Sequence, residues 1–333
     1  MDLDKRDIDI ISILSENSRT NNSIIAKKVK LSNDSIKNRI DKLIEKGIIK
    51  SYRMNINYSY LGLLEYDIYF KLKNYNEVEL NIILKYLNEN KYVTWIGTCF
   101  GNYDLRVSII VKENKQVKEF INEFESKFSK YYQDSKIVFL IEKYKINQNK
   151  IISNFFNVKL TPFELKKQTF IENVIQNENK ILKLEEIERK ILIELNKKPN
   201  SSLVEISKKV NLTPEAVKYR ITELQNKKII KSFSIILDGN KLNKIWAVFL
   251  FKLNNDNTKE ILHYIQNIDN VSAFVQIMGN WNYSISVFAN NVQEIHNILM
   301  GFRNKFPNNI KEYELLLIFE TYKYPNIPKI IFE

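Results

Sequence analysis

The sequence reads IAKKVKLSNDSIKNRIDKLIEKGIIKS over residues 25–51, and a related stretch, ISKKVNLTPEAVKYRITELQNKKIIKS, occupies residues 206–232. In both stretches, apolar residues recur at three- and four-residue intervals, which predicts two short helices separated by a tight turn. Ser32 and Thr213 precede the second helix of each stretch, and serine and threonine commonly cap helix N-termini. This arrangement is typical of a helix-turn-helix.

The two stretches belong to a longer repeat. Residues 3–52 align with residues 184–233 without a gap, and 17 of the 50 aligned positions are identical. After a deletion of three residues, Gly101 and Asn102 align with Gly279 and Asn280. The chain of 333 residues therefore contains one two-part unit twice, with a period too long for a solenoid.

The first part of each unit is predicted to be a winged helix-turn-helix. Residues Ile8, Ile11 and Leu14 form the apolar face of a helix that precedes the helix-turn-helix of the first unit. The β-prone stretches 48–52 and 229–233 follow the third helices, and the second stretch leads to the turn signal Asp238-Gly239. We therefore expect three helices and a β-hairpin wing in each unit.

The second part of each unit alternates strands and helices in the order β-α-β-β-α-β, which predicts a ferredoxin-like domain. In the first unit the predicted elements span residues 64–73, 78–88, 92–100, 103–111, 116–132 and 137–144. The expected fold class is α+β, with two winged helix-turn-helix domains and two ferredoxin-like domains as an internal duplication. The predicted domain boundaries are 1–60, 61–146, a linker at 147–183 with a helix that begins at Thr161-Pro162, 184–242 and 243–325.

Composition argues against several other classes of protein. The single cysteine, Cys99, allows no disulfide framework, and His263 and His296 are too far apart in sequence to suggest a zinc site or paired-histidine catalysis. Neither a phosphate-binding glycine loop, an apolar run of about 18 residues nor a secretory signal is recognisable. We therefore expect a cytoplasmic protein without membrane contact, and predict no catalytic residue, metal site or cofactor.

The formal net charge of +12 suggests a polyanionic partner, although lysine-rich codon bias is an alternative explanation. The distribution of the charge favours the partner, because residues 1–60 and 183–243 together carry +9 of the +12 in about a third of the chain. These are the two predicted helix-turn-helix segments, so the expected partner is double-stranded DNA.

The third helix of each unit would be the recognition helix, with its N-terminal half near the base edges of the major groove. The residues predicted to contact DNA are Ser32, Asn33, Ser35, Lys37, Asn38 and Arg39 in the first unit, and Thr213, Pro214, Ala216, Lys218, Tyr219 and Arg220 in the second. For Arg39 and Arg220 the alternative is a structural ion pair, for instance with Asp7 or Glu188. Because Asn38 can read adenine through two hydrogen bonds and Tyr219 cannot, the two half-sites are expected to differ.

The ensemble of motifs resembles the leucine-responsive regulatory protein (Lrp/AsnC) family of transcription regulators. The matching segments of the first unit are LDKRDI at 3–8, IAKKVKLS at 25–32, IKNRI at 36–40, LIEKGII at 43–49, VTW at 93–95 and GNYDL at 101–105. The resemblance implies DNA binding and dimerisation through the ferredoxin-like sheet. Two units in one chain would then form an intramolecular pseudo-dimer, which could self-associate further.

The resemblance also implies an amino-acid-like effector near the central hairpin turn. The residues implied are Gly101, Asn102, Tyr103, Asp104, Gly279 and Asn280. Asp104 could accept a hydrogen bond from an ammonium group, and the alternative is that Gly101 and Asp104 only shape the turn. The second unit departs from the family pattern, because Asn282 replaces the aspartate of the turn and Lys228 replaces the glycine found at Gly47.

Two alternative functions are compatible with these sequence features. Siroheme decarboxylases share this pair of domains and rely on histidines and arginines around the central hairpin, whereas residues 92–105 and 271–283 contain no histidine. The other alternative is an effector sensor that no longer binds DNA. The basic third helices argue against this alternative.

Overall fold

The computed structural model describes residues 3–144, 148–156, 181–254, 258–324 and 328. The first repeat contains α1 (Lys5–Glu16), α2 (Asn22–Val29), α3 (Asn33–Glu45), β1 (Ile49–Ile56), a 3₁₀ turn (Tyr58–Leu61), β2 (Leu64–Leu72), α4 (Glu77–Glu89), β3 (Val93–Phe100), β4 (Leu105–Val111), α5 (Asn114–Lys127) and β5 (Tyr132–Tyr144). A linker helix, α6 (Gln148–Phe156), follows. The second repeat contains α7 (Glu186–Lys197), α8 (Leu203–Val210), α9 (Pro214–Asn226), β6 (Ile230–Leu237), β7 (Ile245–Leu253), α10 (Thr258–Ile265), β8 (Val271–Met278), β9 (Tyr283–Ala289), α11 (Val292–Lys305) and β10 (Ile310–Lys323).

The described residues form two structural units, which do not coincide with the two sequence repeats. Each structural unit contains matching parts of both repeats. The first unit, here called the helix-turn-helix unit, contains residues 3–61, 148–156 and 181–244. The second, here called the sheet unit, contains residues 62–144, 245–254, 258–324 and 328. The two segments predicted as separate helix-turn-helix domains are thus joined in one unit.

Local sequence explains the helices of the helix-turn-helix unit. The Ser32 hydroxyl accepts a hydrogen bond from the Ser35 N–H at the start of α3, and the Thr213 hydroxyl accepts one from the Ala216 N–H at the start of α9. The preceding helices both end at a residue in the left-handed conformation, Lys30 with φ 57° and Asn211 with φ 56°. The two helix-turn-helix motifs predicted from the sequence are therefore confirmed.

The strands that follow α3 and α9 pair with each other. In the described part of the chain, β1 pairs antiparallel with β6, so the prediction of a separate hairpin within each repeat was wrong. The pairing is symmetric: the Asn57 N–H donates to the Ile229 carbonyl at 2.9 Å, and the equivalent Asp238 N–H donates to the Ile48 carbonyl at 3.0 Å. The physical reason is that each repeat supplies one strand here, whose backbone groups need a partner strand.

The strand exchange also completes the hydrophobic core. Ile235 of β6 is buried in the core of the first repeat, which is built mainly from apolar residues of α1, α2 and α3 and also includes Ile48 and Ile49. Ile152 of α6 is buried in the same core, and the Lys244 ammonium donates to the Asn154 carbonyl at 3.1 Å. The linker helix predicted to begin at Thr161 lies outside the described residues.

The sheet unit contains a closed, eight-stranded antiparallel sheet. Its strand order is β10-β3-β4-β2-β5-β8-β9-β7, with β7 paired again to β10. Each repeat supplies four neighbouring strands in the order expected of a ferredoxin-like domain, β3-β4-β2-β5 and β8-β9-β7-β10, which confirms that prediction. The repeats join at two seams, which we call the first seam (β3 with β10) and the second seam (β5 with β8).

The closed sheet separates two kinds of core. In the first repeat, α4 and α5 cover the outer face through apolar residues that include Phe120, Phe124 and Phe128. The inner face of the sheet encloses a cluster drawn from both repeats, which comprises Tyr69, Trp95, Tyr103, Val138, Val248, Leu250, Val275, Ile277, Trp281, Leu316 and Ile318. Among the described residues, no helix is long and apolar enough to cross a membrane.

Gly101 and Gly279 allow the repeats to approach closely at the seams. A Cβ atom on Gly101 would lie 2.8 Å from the Leu315 carbonyl oxygen, and one on Gly279 would lie 2.9 Å from the equivalent Ile137 oxygen. Their φ angles of +140° and +150° are also ones that residues with a side chain rarely adopt. The same steric requirement is thus met at both seams by glycine.

We predict that Gly101→Ala and Gly279→Ala each destabilise the sheet unit by more than about 1 kcal/mol, because backbone strain adds to the clash with a carbonyl oxygen. Urea unfolding followed by tryptophan fluorescence measures this unit selectively, because Trp95, Trp246 and Trp281 all belong to it. Asn102→Ala, in the same turn but exposed, is the control and should change stability by less than about 0.5 kcal/mol. If the urea midpoints of both glycine variants equalled that of the wild type, the close approach of these glycines to the opposite repeat would be contradicted.

Candidate functional site

The recognition helices expose different side chains. Asn33, Lys37 and Asn38 are exposed on α3, whereas Lys218 and Tyr219 are exposed on α9, where the Tyr219 side chain retains 62% of its accessible surface. The faces that pack inward are equivalent, and consist of Ile36, Ile40 and Leu43 in α3 and Val217, Ile221 and Leu224 in α9. The repeats therefore share a packing pattern and differ in the surface they offer to a ligand.

The other predicted DNA-contacting residues at the helix starts have structural roles. The Ser32 and Thr213 side chains are exposed, but their hydroxyls cap α3 and α9. Ser35, Pro214 and Ala216 are half-buried in the first turns of these helices. Ser32 and Ser35 also share a hydrogen bond of 2.8 Å between their hydroxyl oxygens.

Arg39 is held by two carboxylates at the start of α1. Its guanidinium lies 2.7 Å from an Asp7 carboxylate oxygen and 2.9 Å from an Asp4 oxygen. The hydrogen bond to Asp7 is the main cause that raises the pKa of Arg39. Partial burial alone would raise the pKa of Asp4, but hydrogen bonds from the Asp7 backbone and from Arg39 lower it overall.

The second repeat has the equivalent arrangement with one further member. Arg220 lies 2.6 Å from a Glu185 oxygen, and the buried Glu188 carboxylate accepts a hydrogen bond from the Lys227 ammonium at 2.9 Å. Burial alone would raise the pKa of Glu188, but the hydrogen bonds from Lys227 and the Glu185 backbone lower it overall. We call these two sets of charged residues the arginine clamps. The first clamp consists of Arg39, Asp4 and Asp7, and the second consists of Arg220, Lys227, Glu185 and Glu188.

The arginine clamps tie the first helix of each repeat to its recognition helix. Arg39 pairs with Asp7, as the ion-pair alternative predicted, whereas Arg220 pairs with Glu185 and the predicted partner Glu188 pairs with Lys227. A contact of Arg39 or Arg220 with DNA stays a prediction. Asp4 and Glu185 were not among the residues predicted from the sequence to carry a role. A signal was present, because Asp4 with Asp7 and Glu185 with Glu188 have the spacing of a capping box at matching positions.

The predicted effector turns are bound into the sheet unit. The Asp104 carboxylate accepts hydrogen bonds from the Leu72 N–H at 2.7 Å and from the Tyr75 hydroxyl at 2.8 Å. In the second repeat, the Asn282 side-chain oxygen accepts from the equivalent Leu253 N–H at 2.9 Å, and its amide nitrogen donates to the Leu253 carbonyl at 3.2 Å. The replacement of aspartate by asparagine therefore preserves the hydrogen bond between the turn and the end of the strand.

Burial and hydrogen bonding divide the six predicted effector residues. Tyr103 is buried in the cluster inside the sheet, and Gly101 and Gly279 lie against the opposite repeat. Asn102 and Asn280 are exposed, and the Asn102 amide donates to the Glu314 carboxylate. Burial, followed by the hydrogen bond to Asp104, raises the pKa of Tyr75 to about 12.

The remaining chemically versatile residues form no composite site in the described part of the chain. His263 on α10 and His296 on α11 are exposed, and no group of three potential metal ligands occurs among the described residues. Burial raises the pKa of the Cys99 thiol to about 12, so the thiolate needed for nucleophilic chemistry is scarce at neutral pH.

Comparisons with known proteins agree with this architecture. A family model for winged helix-turn-helix DNA-binding domains matches residues 3–50 and 184–231. An HTH-type transcriptional regulator of Pyrococcus abyssi is 32% identical over 123 residues, which cover 37% of this chain and 82% of that protein. The HTH-type transcriptional regulator LrpB of Bacillus subtilis is 28% identical over 143 residues, which cover 43% of this chain and 93% of LrpB.

A solved structure shares the fold of nearly the whole chain. The siroheme decarboxylase NirDL superposes with a TM-score of 0.63 and 15% identity, and the match covers 97% of this chain and 94% of NirDL. At that identity the likeness concerns the fold alone. The repeated helix-turn-helix match and the similarity to the regulators place this chain in the Lrp/AsnC family of DNA-binding transcription regulators, whose two-domain unit it carries as a tandem duplication.

Proposed function

We propose that this regulator acts as an intramolecular pseudo-dimer that recognises a DNA site with two unlike halves. The observation that carries the proposal is the helix-turn-helix unit itself, in which β1 and β6 join two equivalent motifs whose recognition helices expose different residues. A symmetric dimer presents the same side chains to both half-sites and reads a palindrome. Here one helix offers Asn38 and the other offers Tyr219.

Chemistry at the exposed positions supports unlike half-sites. The Asn38 amide can form two hydrogen bonds to adenine, whereas the Tyr219 phenol offers a single hydroxyl and an apolar ring. Lys37 and Lys218 occupy equivalent positions and provide the same positive charge next to these side chains. The lysines are therefore suited to phosphate contact in both halves, and the neighbouring residues are suited to discriminate bases.

An amino-acid-like effector remains part of the proposal. The exposed amides of Asn102 and Asn280 next to the two turns could bind a carboxylate or an ammonium group. The carboxylate of Asp104 supports such a site less, because both its oxygens accept hydrogen bonds from the chain itself. Thermal-shift measurements with each of the standard amino acids, repeated on Asn102→Ala and Asn280→Ala, would test it.

A second candidate function is decarboxylation of a tetrapyrrole. The fold match to NirDL over nearly both full chains favours it. Against it, both histidines are exposed on helices and lie outside the central hairpins β3–β4 and β8–β9. Absorbance spectra recorded on addition of siroheme decide between the candidates, because a bound iron tetrapyrrole changes its spectrum.

An effector sensor without DNA binding would instead fail to shift genomic DNA in a gel at low salt.

We predict that binding-site selection with the wild-type chain returns a non-palindromic site. A variant with Pro214→Asn, Ala216→Ser and Tyr219→Asn places the α3 residues Asn33, Ser35 and Asn38 at the equivalent positions of α9, and selection with it should return sites closer to a palindrome. Ala216→Ser alone is the matched control, because it changes a half-buried position and should leave the selected sequence as in the wild type. Palindromic sites from the wild-type chain would contradict the proposal.

We predict that lysine and arginine substitutions separate DNA contact from structural support. Lys37→Ala and Lys218→Ala should leave thermal stability unchanged and lower the salt dependence of DNA affinity by about one counterion each. Arg39→Ala should lower the free energy of unfolding by about 1 kcal/mol, because it leaves Asp4 and Asp7 without their partner. Circular dichroism and fluorescence anisotropy with labelled DNA measure the two effects.

The stabilisation by the Arg39 clamp should disappear in acid. The pKa of Asp4 is lowered in the folded chain, so its ion pair stabilises the fold above the ordinary value of 3.8 and is lost as the pH falls through the lowered value. The difference in stability between wild type and Arg39→Ala should therefore shrink below about pH 4. A constant difference from pH 7 to pH 3 would show that the carboxylates are not involved.

A further inference from the structure

The ribbon of β1 and β6 joins the two helix-turn-helix motifs, but a ribbon of this kind restrains their relative twist poorly. It has two strands, and its register shifts near both ends, between Ile49 and Ser51 and between Asn55 and Ile56. Two-stranded ribbons twist over a wider range than larger sheets, and bulges increase the twist locally. A contact outside the ribbon would therefore restrain the separation of the recognition helices further.

The loops that follow α1 and α7 supply such a contact. The Arg19 guanidinium donates a hydrogen bond to the Pro199 carbonyl at 2.7 Å, so a side chain between α1 and α2 reaches the backbone between α7 and α8. The guanidinium also lies over the ring of Phe233 in β6, 5.2 Å from its centroid. The neighbouring Ser18 N–H donates to the Phe233 carbonyl at 3.1 Å. We call these four residues the loop contact, and it joins segments next to the helix-turn-helix of each repeat.

The chemistry of arginine suits this contact. A guanidinium is planar, so it can pack on an aromatic ring while its N–H groups donate hydrogen bonds in the plane. Arg19 is half-buried, and this burial lowers its pKa, whereas no carboxylate of the described residues offsets the effect. Burial of a charge without a carboxylate partner is unfavourable. The carbonyl and the ring that it contacts, and not an ion pair, therefore account for the position of Arg19.

The internal duplication shows that the donors of the loop contact come from the first repeat. The alignment of the two repeats pairs Ser18 with Pro199, Arg19 with Asn200 and Tyr52 with Phe233. Pro199 has no N–H that could donate to β1 as Ser18 donates to β6. Asn200 is exposed, and it forms a hydrogen bond with the Tyr52 hydroxyl. A dimer of identical units would form the same contact twice, whereas here the first loop supplies the guanidinium and the second loop supplies its acceptor.

We propose that Arg19 is a positioning residue for DNA recognition, which holds the two recognition helices at a fixed separation and thereby selects the spacing between the half-sites. The inference rests on the proposed recognition of a site with two halves. A rigid link raises the effective concentration of the second helix at its half-site only when the half-sites have the matching spacing. A looser link lowers the affinity for the matched spacing and reduces the penalty for other spacings.

The first experiment measures the separation of the helices without DNA. Lys37→Cys and Lys218→Cys place spin labels at equivalent, exposed positions of α3 and α9 in the full chain. Pulsed electron resonance should give a narrow distribution of distances between the labels, and the distribution should broaden when Arg19→Ala is added. Arg303→Ala is the matched control, because it removes an arginine that lies 5.3 Å from the centroid of the Tyr313 ring in the sheet unit. It should leave the distribution narrow.

The second experiment measures DNA affinity for the selected site, for each half-site alone and for sites whose halves are moved apart or together by one base pair. Arg19→Ala should lower the affinity for the matched site about fivefold, the lower end of the usual coupling between two sites, and leave the affinity for each half-site as in the wild type. The preference for the matched over the shifted sites should fall as well. Arg19→Lys keeps a donor for the Pro199 carbonyl without the planar group and should be intermediate, and Arg303→Ala should equal the wild type.

Three results would overturn the proposal. The first is a distance distribution of equal width with and without Arg19→Ala. The second is an unchanged preference for the matched spacing in that variant. The third is an equal loss of affinity for the full site and for each half-site, which would indicate that Arg19 contacts DNA directly. A wild-type chain that binds the full site no more tightly than one half would refute the recognition of two halves, and the distance measurement would still decide whether Arg19 holds the helices. Circular dichroism verifies that each variant is folded, and Arg19→Lys replaces Arg19→Ala in both experiments if the alanine variant unfolds.

Discussion

Unpaired strand edges are the constraint on which the rest of this structure depends. A strand edge presents a row of N–H and C=O groups that need partners, and a four-stranded ferredoxin-like sheet has two such edges. In the sheet unit, β3 and β5 of the first repeat are covered by β10 and β8 of the second. The same solution recurs in the helix-turn-helix unit, where β1 and β6 cover each other. In both units, the strand edges of each repeat are completed by the other repeat.

This dependence explains which positions have diverged little in chemistry. Gly101 and Gly279 are retained because each turn approaches a carbonyl oxygen of the opposite repeat to within a distance that excludes a side chain. Asp104 and Asn282 differ in charge, yet both side chains accept a hydrogen bond from the last residue of the first strand of their repeat's ferredoxin-like domain, which is β2 or β7. Lys228 has φ 58° where Gly47 has φ 70°, so the backbone conformation is retained although the glycine is not. The geometry of the backbone is therefore kept more strictly than the residue that produces it.

Much of this fold could be predicted from the sequence because its signals are local. The spacing of Ile36, Ile40 and Leu43 and the cap at Ser32 lie within one helix, and the order of strands and helices in each ferredoxin-like domain follows from successive patterns. The pairing of β1 with β6 could not be predicted, since alternation within a strand does not identify a partner about 180 residues away. Of the residues predicted to contact DNA, Lys37, Asn38, Lys218 and Tyr219 are exposed, and their contact with DNA stays a prediction. The sequence could not decide how Arg39 and Arg220 are held.

The interior of the closed sheet shows why two fused repeats can diverge in complementary ways. The Arg106 guanidinium lies 2.7 Å from the Asp67 carboxylate, which also accepts a hydrogen bond from Ser108, and both charged side chains are largely buried. The equivalent residues of the second repeat are Ser284 and Val248, so this charge pair has no counterpart at the matching positions. Desolvation of an ion costs several kcal/mol before any partner offsets it, and a dimer of identical units would carry that cost twice around its axis. Covalent duplication frees the second repeat to supply apolar Val248 and Leu250 to the same cluster, so the asymmetry of the core parallels the asymmetry of the recognition helices.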